Sequence, residues 1–355
     1  MKYRLLILVV LLALSAALVP AAAAQDIADF NCLNLSEADC TIVTTALNNI
    51  ANMDSFTQSF SFNQSISGAD AVVPGMGLDS STQSQGSGPF VVNREQINGE
   101  TPYMGVSMAF DVNSQASGGG QEDRAGDVSF VIVDGVFYLK DQETGGWKGA
   151  PIDAMMDNHE GAVSMMGMGS TMMTNPAELD EIRVFDINLV DLLQTPGFLS
   201  QSRLADESVD GQTMAVFAFS GDLAVLLQDE DVQAALGTVL AEAMSGSSGS
   251  GMSGQFAMMM PVILESTTGT VTVTRWIGAD DGFAHRIAIN LDAAIDLFGG
   301  STATNATPIP PILVNVNLTV DIAGINDTAA PTAPADAVMV TPEELMPMPE
   351  ATPEG

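Results

Sequence analysis

The stretch that most constrains this chain is Gly269–Asp292, GTVTVTRWIGADDGFAHRIAINLD. Val271, Val273, Arg275 and Ile277 alternate with Thr270, Thr272, Thr274 and Trp276, a period of two rich in β-branched residues that specifies a strand. Gly278-Ala279-Asp280-Asp281-Gly282 supplies a tight turn, because glycine tolerates positive φ and aspartate bonds its own backbone. The return strand alternates again, with Phe283, His285, Ile287, Ile289 and Leu291 on one face and Ala284, Arg286, Ala288 and Asn290 on the other. One face of this hairpin is apolar, and a stable fold has to cover it. What covers it is the functional question.

Lys2 and Arg4, an apolar run from Leu5 to Val19 and the small residues Ala21 to Ala24 read as a secretory signal peptide over residues 1–24. No later apolar run is as long, so no transmembrane segment is expected once the signal is removed. No cysteine stands at the cleavage site, and the expected product is secreted and extracytoplasmic without a lipid anchor. Export leads to a disulfide-permissive compartment, and the chain has two cysteines, Cys32 and Cys40. Their spacing predicts a bridge that pins an N-terminal arm (residues 25–35) to a helix capped by Ser36-Glu37-Ala38-Asp39. No His or third Cys lies near enough to turn the pair into a metal site.

Ten basic residues face 44 acidic ones, a formal net charge of −34, and loss of Lys2 and Arg4 makes it more negative. Such a field repels phosphates, so no nucleic-acid partner is expected.

Along the chain, Ile42, Val43, Ala46, Leu47, Ile50 and Met53 recur at helical spacing. Phe56 to Ile66 switches to period two, a Gly/Ser/Gln-rich loop is expected from Ser67 to Gly88, and strands follow at Phe90–Ile97 and Tyr103–Val112. After a glycine-rich loop at Asn113–Gly126, Asp127–Val133 and Val136–Lys140 form a hairpin around Asp134-Gly135. The pattern turns helical and loose from Gly149 to Pro196, with a short amphipathic helix at Asp186–Gln194. Strands return at Arg203–Val209 and Thr213–Phe219, then a long helix at Asp222–Met244, a glycine-serine loop at Ser245–Gly254, the opening hairpin, and a last strand at Leu313–Ile322. This order gives an α+β fold with a mostly antiparallel sheet and helices gathered on one face. A single domain is expected over residues 36–327, followed by a Pro- and Glu-rich acidic disordered tail over 328–355.

Several phrases carry a family resemblance. Gly135-Val136-Phe137-Tyr138-Leu139-Lys140 with Gly146-Trp147, Ser208-Val209-Asp210-Gly211-Gln212, and Thr274-Arg275-Trp276-Ile277-Gly278 with Asp281-Gly282 and His285-Arg286-Ile287 resemble successive hairpins of LolA-like and LppX/LprG-type bacterial envelope proteins. Ile325-Asn326-Asp327, with Pro331 and Pro334, resembles the closing segment of that family. The resemblance covers roughly Ser36 to Val340 and implies an antiparallel sheet curled into a half-barrel, with helices across its concave side. It further implies a bacterial envelope protein without catalytic residues, holding lipid or another apolar small molecule between sheet and helices, with envelope proteins as partners.

Methionine fills irregular gaps and adapts to shapeless apolar ligands, so the methionine-rich segments suit such a cavity. Its candidate lining is Met155, Met156, Leu192, Leu193, Leu226, Leu227, Met258 and Met259. Two other readings stay open: Cu(I) binding by Met165, Met166 and Met168 with His159, and a structural surface protein without ligand. Asp280-Asp281 supplies too few oxygens for a calcium loop, and His285 on an apolar strand face reads as a packed residue. No G-x-S-x-G, no H-E-x-x-H and no phosphate-cradling glycine loop occurs, and only His159 and His285 could serve as histidine bases. The reading is a non-enzymatic binding protein with no cofactor.

Overall fold

The computed structural model describes residues 32, 34–50, 52–72, 79–97, 102–118, 124–158, 183–184, 187–188, 199–228, 265–296 and 310–345. Two of its hairpins turn on the Asp-Gly pairs expected from the sequence. Asp134 and Gly135 have φ of 52° and 73°, and Asp210 and Gly211 have 50° and 83°. That double left-handed geometry matches the right-handed twist of the flanking strands.

Six strands run as a meander: β1 (Ser55–Ser67), β2 (Ser80–Val92), β3 (Val106–Gly118), β4 (Arg124–Val133), β5 (Val136–Lys140) and β6 (Trp147–Pro151). A small separate hairpin follows, β7 (Arg183–Val184) with β8 (Ile187–Asn188). The second half comprises β9 (Leu199–Arg203), β10 (Glu207–Val209), β11 (Gln212–Asp222), β12 (Thr267–Gly278), β13 (Ala284–Ile295), β14 (Ile312–Ala323) and β15 (Val338–Met339). The 13-stranded sheet has the order β10-β11-β12-β13-β14-β1-β2-β3-β4-β5-β6-β15, with β9 also pairing β11. Every pairing in it is antiparallel except β15 on β6. The sheet is open, with β10 and β15 at its two ends.

Register assigns the faces. On the inner face Phe217, Arg275, Ile287, Val320, Phe60, Gly86 and Val112 form one cross-strand row. On the outer face Thr272, Asn290, Asn317, Asn63, Gln83 and Gln115 form another, three residues nearer one end. A polar outer row against an apolar inner row is what period-two alternation produces in a sheet with one covered face. Aromatic rings cross the inner face: Phe56 stacks on Phe90 at 4.9 Å, Phe110 on Phe130 at 5.7 Å and Phe130 on Phe137 at 5.8 Å. Gly86 makes room for this stripe, since a Cβ there would sit 2.6 Å from the Phe60 ring and 2.9 Å from the Asp111 carbonyl oxygen.

The helix Glu37–Ile50 (α1) begins where expected: the Asp39 amide donates to Ser36 Oγ, and the Cys32–Cys40 disulfide ties its first turn to the arm. Val43, Ala46 and Leu47 bury against Ala215, Phe217 and Ile277 on the inner face. Asn49 donates to the Gly282 carbonyl at 3.0 Å, fastening the helix to the β12–β13 turn.

Four expectations are corrected. The fold is mainly β, with few and short helices among the described residues, rather than α+β. Ser80–Gly88, expected as loop, is strand: small polar residues of weak propensity are held by ladders to β1 and β3 on both sides. Within Asp186–Gln194, Ile187 and Asn188 are strand and pair with Arg183 and Val184; an apolar run this short does not distinguish the two periods. The segment after Thr328 is ordered as far as Leu345: Val338 and Met339 pair with β6, and Leu345 is buried with Phe137, Ala150, Ile152 and Met155. The long helix expected from Asp222 begins as a single turn, Leu223–Leu226, capped by the Asp222 carboxylate accepting from Ala224, and residues 229–244 lie outside the described residues.

Gly86→Val should lower stability by about 1–3 kcal/mol in chemical denaturation, because β-branching at that Cβ drives atoms into Phe60. Leu345→Ala should cost about 2 kcal/mol or more, the loss expected of a truncated core leucine, and an unchanged midpoint would mean that the C-terminal segment is not packed.

Candidate functional site

The inner face is not finished evenly. Toward the turn end of β12 and β13 it is closed by α1, and the gap left between Val43, Ala46, Leu47, Ile50, Arg275, Ile277, Ala284 and Ile287 has a volume of only about 20 Å³. That holds a water molecule and not an acyl chain. Toward the opposite end, apolar side chains continue in register but are only half-buried. Val273 and Ile289 lie in one row, Val271, Leu291 and Val316 in the next, and Val314 and Ile66 in the third. Among the described residues, only Ile289 and Val316 of this group pack against the phenylalanine cluster.

Three stretches of chain meet the sheet at this same end. Asp222, the last residue of β11, lies opposite Thr270; Ile295, the last of β13, lies opposite Ile312, the first of β14; and Leu199, the first of β9, lies opposite Gly221. The described strands β11 and β13 therefore end here, β12 and β14 begin here, and β9 is entered here.

Polar groups border this surface on the β9–β12 side. Gln201 of β9 is buried directly opposite Phe219, and among the described residues neither its Nε2 nor its Oε1 has a hydrogen-bond partner. The Arg275 guanidinium lies 4.9 Å from the centre of the same Phe219 ring. Burial pushes Arg275 down to about 10, so it remains a cation at neutral pH. One row further, Arg203 lies 4.8 Å over Phe217 and pairs with Asp39 and Asp206. A second buried amide, Gln58 on β1, is also without a partner among the described residues, between Ile322 on β14 and Gly88 on β2.

The residues singled out in the sequence are scattered by the fold. Met155 is a packed core residue on the helix Ile152–Asn158, which follows β6. Met156 is the next residue of that helix, whereas Leu226 and Leu227 follow β11 near the other edge. Leu192, Leu193, Met258 and Met259, and the copper candidates His159, Met165, Met166 and Met168, lie outside the described residues. His285, the second residue of β13, reaches back to the hairpin turn, with its Nε2 2.8 Å from Asp281 Oδ2. Sequence reasoning put Arg275 on the apolar face but drew nothing from it. Gln58 and Gln201 were missed, although an amide at an inward position of an alternating strand was the available signal.

Unpartnered, the Gln58 amide costs about 1–3 kcal/mol of desolvation for each buried polar group. Gln58→Leu should therefore raise the unfolding midpoint, and a fall would show that the amide has a partner in solution.

No family model matches the chain, and no curated protein matches it. Among solved structures, the Mycobacterium tuberculosis lipoprotein LppX is 12% identical, with coverage of 83% of this chain and 98% of that one at a TM-score of 0.29. LprF from Mycobacterium bovis is 10% identical, with 84% and 97% covered and a TM-score of 0.28. A Vibrio parahaemolyticus domain described as an outer membrane lipoprotein-sorting protein is 8% identical, with 75% and 83% covered and a TM-score of 0.15. The chain has structural similarity to LppX, LprF and the lipoprotein-sorting domain, at low TM-scores.

Proposed function

We propose that this chain is an extracytoplasmic, non-catalytic binding protein that holds an acyl chain or another apolar small molecule against the inner face of β11–β14. The observation that carries this reading is the change in packing along one face. Phenylalanines and α1 close it at one end, and Val271, Val273, Leu291, Val314 and Val316 continue it half-buried at the other. Apolar surface left partly wet gains about 25 cal/mol per Å² when a ligand covers it. The cavity beneath α1 is too small for that ligand, so the site belongs to the half-buried end.

On this reading the sheet, together with the C-terminal segment that packs on it, acts as one domain, and the chain joining the sheet at that end supplies the ligand's other side. Leu226, Leu227, Met258 and Met259 are the candidates there, in the manner of helices laid across a half-barrel. The Cys32–Cys40 bridge supports an oxidising compartment.

Native mass spectrometry of the protein purified without detergent should show a bound species, and solvent extraction should release an acyl-bearing compound. Leu291→Arg should cut retained ligand at least about fivefold, because a guanidinium in the half-buried apolar row costs ligand contact and desolvation, while its half-burial keeps the loss of stability near 1 kcal/mol. A wild-type protein that carries no ligand and takes up no added palmitate overturns the reading.

A further inference from the structure

The outer face of the sheet carries less charge than its size and the composition of the chain call for. Thr272, Asn290, Asn317, Asn63, Gln83 and Gln115 lie side by side across six strands. The row beside it, from Thr274 through Ser61 and Gln85 to Asn113, likewise has only hydroxyl, amide and methyl side chains. None of these twelve positions is charged, in a chain with 44 acidic and ten basic residues. Charge returns at the border, with Asp292 in the next row, the Arg286–Asp321 ion pair beyond Thr274 and Thr319, and Asp127 opposite Asn113. A solvated face ordinarily draws on charges of both signs for solubility. Asn317, Asn63, Gln83 and Gln115 are exposed. Cross-strand bonds join Ser81 to Ser117 and Asn113 to Asp127 at the margin, and among the described residues the four exposed amides donate to no other side chain.

We propose that this face, formed by β12–β14 and β1–β3, binds an uncharged, extended polysaccharide of β-linked hexoses laid across the strands along the amide row. Each side-chain amide offers two donor hydrogens and two acceptor lone pairs, the set that pairs with sugar hydroxyls. Adjacent strands lie about 4.8 Å apart, close to the advance of one residue in such a glycan, so successive sugars meet successive amides. Five such spacings make the row about 24 Å long, enough for a short oligosaccharide. Other partners fit worse. A nucleic acid needs cations, a protein hot spot needs aromatic anchors, and a membrane needs apolar surface. The two rows hold no cation, no aromatic ring and a single apolar side chain, Ala288. An uncharged ligand also approaches a protein of charge −34 without repulsion. This face lies on the opposite side of the sheet from the apolar site and does not depend on it.

Titration calorimetry of cellohexaose and chitohexaose into the full-length protein should show saturable binding of at least one of them. A β-1,4-linked glucuronate hexamer should bind at least about tenfold more weakly at low salt, since its carboxylates enter an acidic field with no cation in either row to receive them. Asn63→Ala combined with Gln83→Ala should weaken the bound hexaose about tenfold, because two amide contacts are lost. Both side chains are exposed, so the same protein should keep its unfolding midpoint and its uptake of palmitate on the other face. Failure of both neutral hexaoses to bind the wild type overturns the proposal. So does equal binding of the glucuronate hexamer, or a double variant that binds the hexaose as well as the wild type.

Discussion

The pairing of β1 with β14 is the constraint on which the rest of the structure depends. It joins the beginning of the described fold to its end, along eleven residue pairs from Thr57–Ala323 to Ser67–Leu313. Without it the chain would form two meanders, β1–β6 and β9–β14, each with an exposed edge. With it the inner faces of both become one surface, because register carries Phe60 to Val320 and Phe62 to Leu318 across the seam. The seam is reinforced at one end by Asn326, whose side chain accepts from the Asp54 amide and donates to the Asn52 carbonyl. These contacts bridge residues 272 and 274 positions apart, so the chain closes a long loop before the sheet is complete, an ordering that slows folding.

The continuous inner surface is closed unequally, and the proposed function follows from that inequality. At the β1–β5 side five stacked phenylalanines and their aliphatic neighbours exclude water. At the β11–β13 turn end α1 does the same, held in place by its disulfide, by Asn49 on the turn and by the Asp39–Arg203 pair. The ends of β11–β14 have the same alternation of apolar residues and only partial burial. Gln201, like Gln58, is an unmet amide in an apolar layer, which opposes stability. It stands next to Arg275 and Phe219, so polar side chains border the apolar rows on the β9–β12 side.

The outer face is built on a different rule. Along β1, β2, β3, β12, β13 and β14 it presents rows of hydroxyl and amide side chains with few charges, although the chain as a whole is strongly acidic. Neutral polar side chains keep one side of a wide sheet wet without setting like charges directly opposite each other on adjacent strands, where repulsion would act at short range. The acidic excess therefore falls largely elsewhere, in turns and in the segments around the sheet.

The sequence alone determined the local pieces whose cause is local. Alternation fixed the β12–β13 hairpin and put Arg275 among inward residues; Asp-Gly pairs fixed two turns; Ser36 and Asp39 fixed the start of α1; and cysteine spacing fixed the bridge. It misread what depends on partners. Ser80–Gly88 has no strand propensity to see, and becomes strand only because β1 and β3 flank it. The segment after Thr328 looks disordered by composition, and is ordered only because β6 offers an edge and Phe137 a pocket for Leu345. The grouping around Phe219 was beyond reach for the same reason. Gln201 and Arg275 are 74 positions apart, and only the registers of β9, β11 and β12 bring both to Phe219.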